Sequence, residues 1–155
     1  MVGMGRVSAG ILLFRRSSNQ LQVLLVHPGG PFWRNKDLGA WSIPKGEVGE
    51  GEELLAAARR EFAEELGFEA RGEFLPLGAV KQKGGKTVHA WAVEADCDPS
   101  TCKSNTFKMR WPAKSETWAE FPEVDRAEFF SLADAREKIN PGQAPLLDEL
   151  ERLLR

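Results

Sequence analysis

The sequence predicts an α/β protein in which three helices pack on a mixed β-sheet. Two apolar, β-prone runs near the start of the chain, Val7 to Phe14 and Leu21 to His27, predict neighbouring strands. Two later segments, Glu52 to Leu66 and the leucine-rich end of the chain, carry apolar side chains at helical spacing. Strands and helices interleave without the regular alternation of a doubly wound fold, which favours a mixed sheet.

The composition indicates one globular domain over residues 1–155. Hydrophobic residues make up 42% of the 155 positions, which is enough for a single core. The chain has 21 Lys and Arg against 23 Asp and Glu, a net charge of −2. General nucleic-acid binding usually requires a basic excess. We therefore expect a small-molecule partner and no stable nucleic-acid complex.

The apolar runs and the two cysteines lead to expectations about the compartment of the protein. No run approaches the roughly 18 apolar residues of a membrane helix, and Ala9 to Phe14 is too short for a secretory signal. A cytoplasmic protein without membrane association is the expectation. Cys97 and Cys102 have four residues between them and no nearby His or other Cys, so free thiols are expected rather than a zinc site or a disulfide.

The first half of the chain contains three further elements. The polar cluster Arg15 to Asn19 predicts the turn between the first two strands. Ala40 to Pro44 is interpreted as a strand end leading into a Gly-rich loop. The helix Glu52 to Leu66 has an apolar stripe, and Gly67 is expected to end it in a left-handed conformation. The stripe consists of Leu55, Ala58, Phe62 and Leu66.

The second half is less regular. Phe74 to Lys81 and Thr87 to Ala95 predict two strands around a Gly-Gly turn, and Asp98 to Pro122 is expected to be irregular. Arg126 to Phe130 predicts a final strand. A capping box at Ser131 to Asp134 predicts a short helix that stops before Pro141. The last helix has its apolar face at Leu146, Leu147, Leu150, Leu153 and Leu154.

Three carboxylates share one face of the predicted helix. Glu61, Glu64 and Glu65 stand at positions i, i+3 and i+4, about 5–6 Å apart. Like charges at this spacing destabilise an isolated helix by a few tenths of a kcal/mol per pair. A solvated acidic face is one interpretation. The other is a site for Mg²⁺ or Mn²⁺, whose preferred ligands are carboxylate oxygens.

The spacing around these carboxylates extends to a longer motif. Gly46, Glu52 and the run Arg60 to Phe68 resemble the Nudix box, G-x5-E-x7-R-E-U-x-E-E-x-G-U. Seven defined residue types agree, which chance produces on the order of once in ten million start positions. Phe62 and Phe68 occupy positions where Ile, Leu or Val are more usual. The resemblance implies a Nudix fold, an α/β/α sandwich, and hydrolysis of a nucleoside diphosphate linked to a group X.

The resemblance also implies roles for individual residues. Glu61, Glu64 and Glu65 would bind Mg²⁺, with Mn²⁺ as a substitute, and Gly46 would offer its backbone carbonyl to the same metal. Arg60 would orient Glu61 or pair with Glu52. Glu52 is equally explained as a charge near a helix N-terminus. The general base varies among members of the family, and assigning it to Glu61 is a hypothesis.

A further carboxylate often completes such a site, and three are available. Glu123 is the first candidate because it lies six residues before Phe129, at the entry to the final strand, a spacing that resembles other members of the family. Glu120 is the second and Glu116 the third. Each of them is equally explained as a surface glutamate of a loop.

Cations near the motif suit a polyphosphate. They are Lys45, Lys81, Lys83, Lys86 and His89. The three lysines around the Gly-Gly turn are also explained as solvated. Trp41 is a candidate platform for a base, with Trp33 and Trp111 as others, although Trp residues are more often part of a core.

Short motifs outside the box resemble the diadenosine tetraphosphate hydrolase and NTP pyrophosphohydrolase branch of the family. They are Val7 to Phe14 with Arg15-Arg16, Pro44-Lys45-Gly46, and Lys86-Thr87-Val88 leading to Trp91. The leading hypothesis is a Mg²⁺-dependent hydrolase of dinucleoside polyphosphates. The alternatives are a house-cleaning nucleoside triphosphate pyrophosphatase, an RNA 5′-pyrophosphohydrolase and a catalytically silent binding domain. The segment Asp98 to Pro122 is either a lid or a surface insertion.

Overall fold

The computed structural model describes residues 6–155, which contain eight strands and three helices. The strands are β1 (Val7–Ser17), β2 (Gln20–Pro28), β3 (Lys45–Glu47), β4 (Leu75–Lys81), β5 (Thr87–Glu94), β6 (Thr106–Arg110), β7 (Trp118–Pro122) and β8 (Val124–Ser131). The helices are α1 (Leu54–Leu66), α2 (Leu132–Lys138) and α3 (Ala144–Leu153). None of the helices in this range combines the length and apolar character that crossing a bilayer requires.

Six strands form the predicted mixed sheet. The order is β4-β5-β1-β2-β8, with β3 also paired to β1. The β1–β5 pair is parallel, whereas the other pairs in this sheet are antiparallel. Strands β6 and β7 form a separate two-stranded hairpin.

The central strand β1 is buried on both faces, which gives the sandwich. Its residues alternate between two cores because successive side chains of a strand point to opposite faces. Ile11 and Leu13 pack in the core that contains Phe62 of α1. Leu12 and Phe14 pack in the core that contains the buried leucines of α3. This α/β/α arrangement confirms the expected fold class.

Two predicted boundaries were wrong near the start of the chain. The turn between β1 and β2 is only Ser18-Asn19, with φ values of 53° and 64°. A two-residue turn of this kind matches the twist of the flanking strands, so the arginines at 15 and 16 stay in β1. The segment 40–44 makes isolated bridges only, Val26 to Ser42 and Trp41 to Ile139.

The segment 98–122 is not irregular throughout, because it contains the β6–β7 hairpin. In β6 the residues alternate between exposed Lys108 and Arg110 and half-buried Phe107 and Met109. This period of two is typical of a half-buried strand, and the prediction of an irregular segment was wrong here. The two helix boundaries with the clearest signals were correct. Gly67 ends α1 at φ 83°, and Ser131 accepts a hydrogen bond from the Asp134 N–H at 3.2 Å.

Candidate active site

The three helical carboxylates lie at the edge of the core. Helix α1 buries Ala57, Ala58, Phe62 and Leu66 against the sheet, and this packing fixes its rotation about its own axis. Glu65 is carried into the edge of the core, where it is only 8% exposed. Glu61 is mostly buried as well, whereas Glu64 is about one-third exposed.

Gly46 lies directly beneath Glu61. Strand β3 pairs with β1 so that Gly46 is opposite Ala9, and α1 crosses β3 at this point. A Cβ atom on Gly46 would lie 1.9 Å from Oε1 of Glu61. The carboxylate therefore rests on bare backbone, which explains why this position of the motif is glycine.

Arg60 holds three carboxylates together. Its Nε donates to Oε2 of Glu52 at 2.8 Å, and its Nη1 donates to Oε2 of Glu61 at 2.6 Å and to Oε2 of Glu64 at 3.0 Å. Oε1 of Glu52 also accepts a hydrogen bond from the Gly49 N–H at 2.8 Å. These bonds lower the pKa of Glu52 to about 2. Both pairings expected for Arg60, with Glu61 and with Glu52, are present.

A cleft of about 210 Å³ lies beside the helix, and Lys45, Glu65 and Glu123 line it together. Burial raises the pKa of Glu65 to about 8, and the nearby charges of Glu61 and Glu123 act in the same direction. Burial also raises the pKa of Glu61, which the hydrogen bond from Arg60 opposes. Carboxylates kept this close without a cation destabilise one another.

The three additional carboxylates have different positions. Glu123 is on the rim of the cleft, and its pKa is raised by partial burial and by the charges of Glu61 and Glu64. Glu120 is in β7, opposite Lys108 on the exposed face of the hairpin. Glu116 lies in the turn that joins β6 to β7. Only Glu123 among these three lines the cleft with Glu65.

The donor set fits a hard divalent cation. Glu61, Glu64, Glu65 and Glu123 would supply carboxylate oxygens, and Gly46, which lies against Glu61, would supply its backbone carbonyl. Within residues 6–155, no three acidic, His or Cys side chains yet converge at ligand distances. Arg60 hydrogen-bonds Oε2 of both Glu61 and Glu64. A bound cation would compete with Arg60 for these oxygens.

The four lysines identified in the sequence divide into two groups, and His89 lies apart from both. Lys45 and Lys86 are half-buried and near each other, and the pKa of Lys45 is lowered by burial and by the charge of Lys86. Lys81 and Lys83 are exposed on β4 and on the turn that follows it. His89 is in register with Ala9, and Ala9 with Gly46. His89 therefore lies on the α1 face, two strand spacings (about 10 Å) from Gly46.

Trp41 is not a platform for a base. Its side chain is 1% exposed, and its Nε1 donates to Oδ1 of Asp37 at 2.8 Å. The rings of His27 and Phe130 pack edge-on against it at 5.2 and 5.0 Å between centroids. A purine has no access to this indole, so the expectation for Trp41 was wrong and the residue belongs to the core.

Part of the lining of the cleft was not predicted from the sequence. Val26, Pro28 and Ser42 line it, although their residue types carry no functional signal. His27, between two of them, is 1% exposed. Its Nε2 donates to the Lys36 carbonyl at 2.7 Å, and its Nδ1 lies 2.8 Å from Oδ1 of Asp125. Through these two contacts, His27 connects strand β8 with the segment that follows β2.

Known sequences match this chain over most of its length. The NUDIX domain family profile matches residues 4–150. An RNA pyrophosphohydrolase of Caulobacter vibrioides is 30% identical over 138 residues, which cover 85% of this chain and 73% of that protein.

Solved structures have a similar fold. A binary complex of the C. elegans Ap4A hydrolase matches with a TM-score of 0.68 and 21% identity, covering 95% of this chain and 97% of that one. The NUDIX domain of Shewanella oneidensis NrtR, complexed with ADP ribose, matches with a TM-score of 0.69 and 17% identity, covering 99% and 91%. At these identities the structural likeness shows the fold alone.

Proposed function

Because this chain belongs to the Nudix family and is a Nudix hydrolase, we propose that it hydrolyses a phosphoanhydride bond of a dinucleoside polyphosphate with Mg²⁺ as cofactor. The observation that carries the proposal is the shared cleft of Lys45, Glu65 and Glu123. Carboxylates for a cation and a lysine for a phosphate meet there within one small volume. The Lys45–Lys86 pair provides the positive charge that a chain of phosphates requires.

The side chains divide the work between metal and substrate. Glu61, Glu64, Glu65 and Glu123, with the carbonyl of Gly46, would hold Mg²⁺ or, as a substitute, Mn²⁺. When bound there, the cation would supply positive charge to the phosphate oxygens and activate water for attack. Arg60 keeps Oε2 of Glu61 in a hydrogen bond, which leaves Oε1 over Gly46. Glu61 at this position is the candidate to accept the proton of the attacking water.

Two other hydrolase activities would also break a phosphoanhydride bond with this set of side chains. An RNA 5′-pyrophosphohydrolase is favoured by the Caulobacter vibrioides relative, which carries that activity in its name. A house-cleaning nucleoside triphosphate pyrophosphatase would use the same carboxylates and lysines. The catalytically silent alternative is disfavoured, because Glu61, Glu64 and Glu65 are all retained on one helix face.

A substrate panel tests the proposal. The protein is incubated with Mg²⁺, and separately with Mn²⁺, and with diadenosine polyphosphates, nucleoside triphosphates, ADP-ribose or 5′-triphosphorylated RNA. Products are identified by chromatography and mass spectrometry. We expect the highest kcat/KM with a dinucleoside polyphosphate. Preference for triphosphorylated RNA would replace the proposed substrate, and no turnover on the whole panel would refute the proposed hydrolysis.

Matched variants test the carboxylates. Glu65→Gln keeps the size of the side chain and removes the charge, so we expect turnover to be lost while the fold remains. Glu69→Gln is the control, because Glu69 follows the same helix and, among residues 6–155, pairs only with the exposed Arg71. Surface pairs of this kind contribute little. Full activity of Glu65→Gln would contradict its assignment to the metal.

A further inference from the structure

The β6–β7 hairpin begins at the cleft. The Glu123 N–H donates to the Asn105 carbonyl at 2.9 Å, immediately before β6 begins, and the Gly29 N–H donates to the Glu123 carbonyl at 2.9 Å. Pro28 lines the cleft with Glu123. Phe32 follows Pro28 by four residues, so their Cα atoms are within about 14 Å of each other. The hairpin and the segment 29–36 thus extend outward from the candidate active site.

Aromatic side chains connect these two elements. Phe107 is on the half-buried face of β6, and its ring lies 3.0 Å from where a Cβ of Gly30 would be. The rings of Phe32 and Trp111 pack edge to face with 6.1 Å between centroids. Phe32 nevertheless remains 63% exposed and Trp33 39% exposed. We call Phe32, Trp33 and Trp111 the aromatic wall.

The charge around the aromatic wall is positive. Nζ of Lys36 lies 5.1 Å from the ring of Trp33, and neither Lys36 nor Arg34 forms an ion pair within residues 6–155. The neighbouring Asp37 is neutralised by Lys138. Aromatic rings beside positive charges are the features with which proteins bind unpaired bases and the phosphates attached to them.

The aromatic wall is held in place before any ligand arrives. The buried His27 donates to the carbonyl of Lys36, which fixes the end of the segment that carries Phe32 and Trp33. A ring that is already ordered loses little conformational freedom on binding, so its contact with a ligand contributes more to affinity.

We propose that the aromatic wall stacks a nucleobase of the substrate whose phosphates lie in the cleft between Lys45, Glu65 and Glu123. This inference rests on the proposed function and adds a specificity element to it. The shared chemistry is an unpaired base joined to a chain of phosphates. A dinucleoside polyphosphate and the 5′ end of a triphosphorylated RNA both supply it.

A second copy of the chain is a poorer occupant. A stable interface buries about 800 Å² on each partner. The exposed parts of Phe32 and Trp33 together amount to on the order of 200 Å², given 150–250 Å² for a whole aromatic side chain. Trp118, the next exposed aromatic residue, is on the opposite face of the hairpin, beside Arg110. One base matches the available area.

Equilibrium binding tests the aromatic wall without turnover. A methylene-bridged ATP analogue and inorganic tripolyphosphate are titrated, with Mg²⁺, into wild type, Phe32→Ala, Phe32→Trp and Trp118→Ala. Stacking contributes about 1–3 kcal/mol per base, so Phe32→Ala should weaken the analogue roughly tenfold or more. Its affinity for tripolyphosphate should not change, and Phe32→Trp and Trp118→Ala should bind both ligands as wild type does.

Three results would overturn the inference. Phe32→Ala could weaken both ligands equally, Trp118→Ala could weaken the analogue as much as Phe32→Ala does, or Phe32→Ala could change only the oligomeric state measured by sedimentation. Thermal unfolding confirms that each variant is folded, as expected for a residue as exposed as Phe32.

Steady-state kinetics separate this inference from the proposed function. Phe32→Ala should raise KM with little change of kcat. The effect is measured with diadenosine tetraphosphate and with a triphosphorylated oligoribonucleotide. The substrate whose KM rises identifies the source of the base. Loss of base-dependent binding in a protein that hydrolyses no nucleotide would support the aromatic wall and refute the hydrolysis. Hydrolysis with the same KM in wild type and in Phe32→Ala would support the proposed hydrolysis and refute the aromatic wall.

Discussion

Oε1 of Glu61 lies 1.9 Å from the position that a Cβ atom would take on Gly46. The two residues are 15 positions apart in the sequence and belong to different elements, β3 and α1. Their contact therefore sets how closely the helix that carries the carboxylates can approach the sheet. It also explains, in steric terms, the first glycine of the motif.

Gly46→Ala should leave the protein folded and nearly inactive. The added methyl group meets the flexible end of Glu61, which can move aside at small cost in stability but then leaves its position over β3. We expect kcat/KM and Mg²⁺ affinity to fall about 10–100-fold, measured by steady-state kinetics and calorimetry. Gly49→Ala is the control, because its nearest contact would be 3.2 Å away. If Gly46→Ala is as active as wild type and as Gly49→Ala, the steric role of Gly46 is contradicted.

Arg60→Lys should lower activity although the charge is conserved. Lysine lacks the planar fork that lets Arg60 bind Glu52 with two nitrogens while a third contact reaches Glu61. We expect an approximately 10–100-fold loss of kcat or metal affinity. Arg59→Lys is the matched control on the same helix, because Arg59 packs over the Phe74 ring instead. If both variants retain full activity, Arg60 does not position the carboxylates.

Metal-free protein should lose stability as the pH rises from about 4.5 to about 8. Glu65 has its pKa raised from 4.5 to about 8 by burial, so in this interval the unfolded chain has released a proton that the folded protein still holds. Unfolding therefore becomes easier with increasing pH, by a total on the order of 3–5 kcal/mol. Thermal unfolding in EDTA measures the effect.

Glu65→Gln is the control for that pH dependence. The amide cannot ionise, so the variant should be more stable than wild type near pH 8 and should show a weaker decline. Added Mg²⁺ should stabilise wild type near pH 8, where the carboxylate is available, more than near pH 5. A decline in Glu65→Gln parallel to that of wild type would assign the pH dependence to other groups.

Trp41→Phe should affect stability and not substrate binding. The smaller ring leaves a cavity in a fully buried site and removes the hydrogen bond to Asp37. We expect the free energy of unfolding to fall by about 1–3 kcal/mol in urea titrations, with KM unchanged. Trp118→Phe, at a 60% exposed position, should change stability by less than about 0.5 kcal/mol. A rise in KM for Trp41→Phe alone would restore Trp41 as a binding residue.

Lys86→Ala should weaken the substrate more than Lys83→Ala. Lys86 is half-buried beside Lys45, whereas Lys83 is exposed on the turn after β4. Loss of one charge-assisted contact to a phosphate should raise KM roughly tenfold. The Lys83 variant should match wild type. Equal KM values for all three proteins would make both lysines solvated surface residues.

Local signals determined much of this protein in advance. The apolar stripe of α1, the left-handed Gly67 and the Ser131 cap are properties of neighbouring residues, so they could be read from the sequence alone. The alternation of exposed and half-buried residues in β6 is equally local, so this strand could have been predicted from the sequence. The carboxylates on one turn of α1 follow from helical geometry, which fixes the spacing of i, i+3 and i+4.

Contacts between distant residues could not be read in this way. Glu123 joins Glu65 in the cleft because β8 pairs with β2 and places Glu123 beside Pro28, which also lines the cleft. Trp41 is buried because the chain crosses between β2 and α2, where His27 and Phe130 enclose it. Residue type alone does not distinguish a stacking indole from a core indole.

The sequence by itself thus determined the fold class, the reaction family and the three helical carboxylates, because a motif of fixed spacing carries all of them. Only the tertiary structure decided which of the scattered lysines, glutamates and aromatic residues share the cleft and its rim. The physical reason is that burial and proximity arise from packing between elements far apart in the chain, and these set both the pKa of Glu65 and the exposure of Phe32.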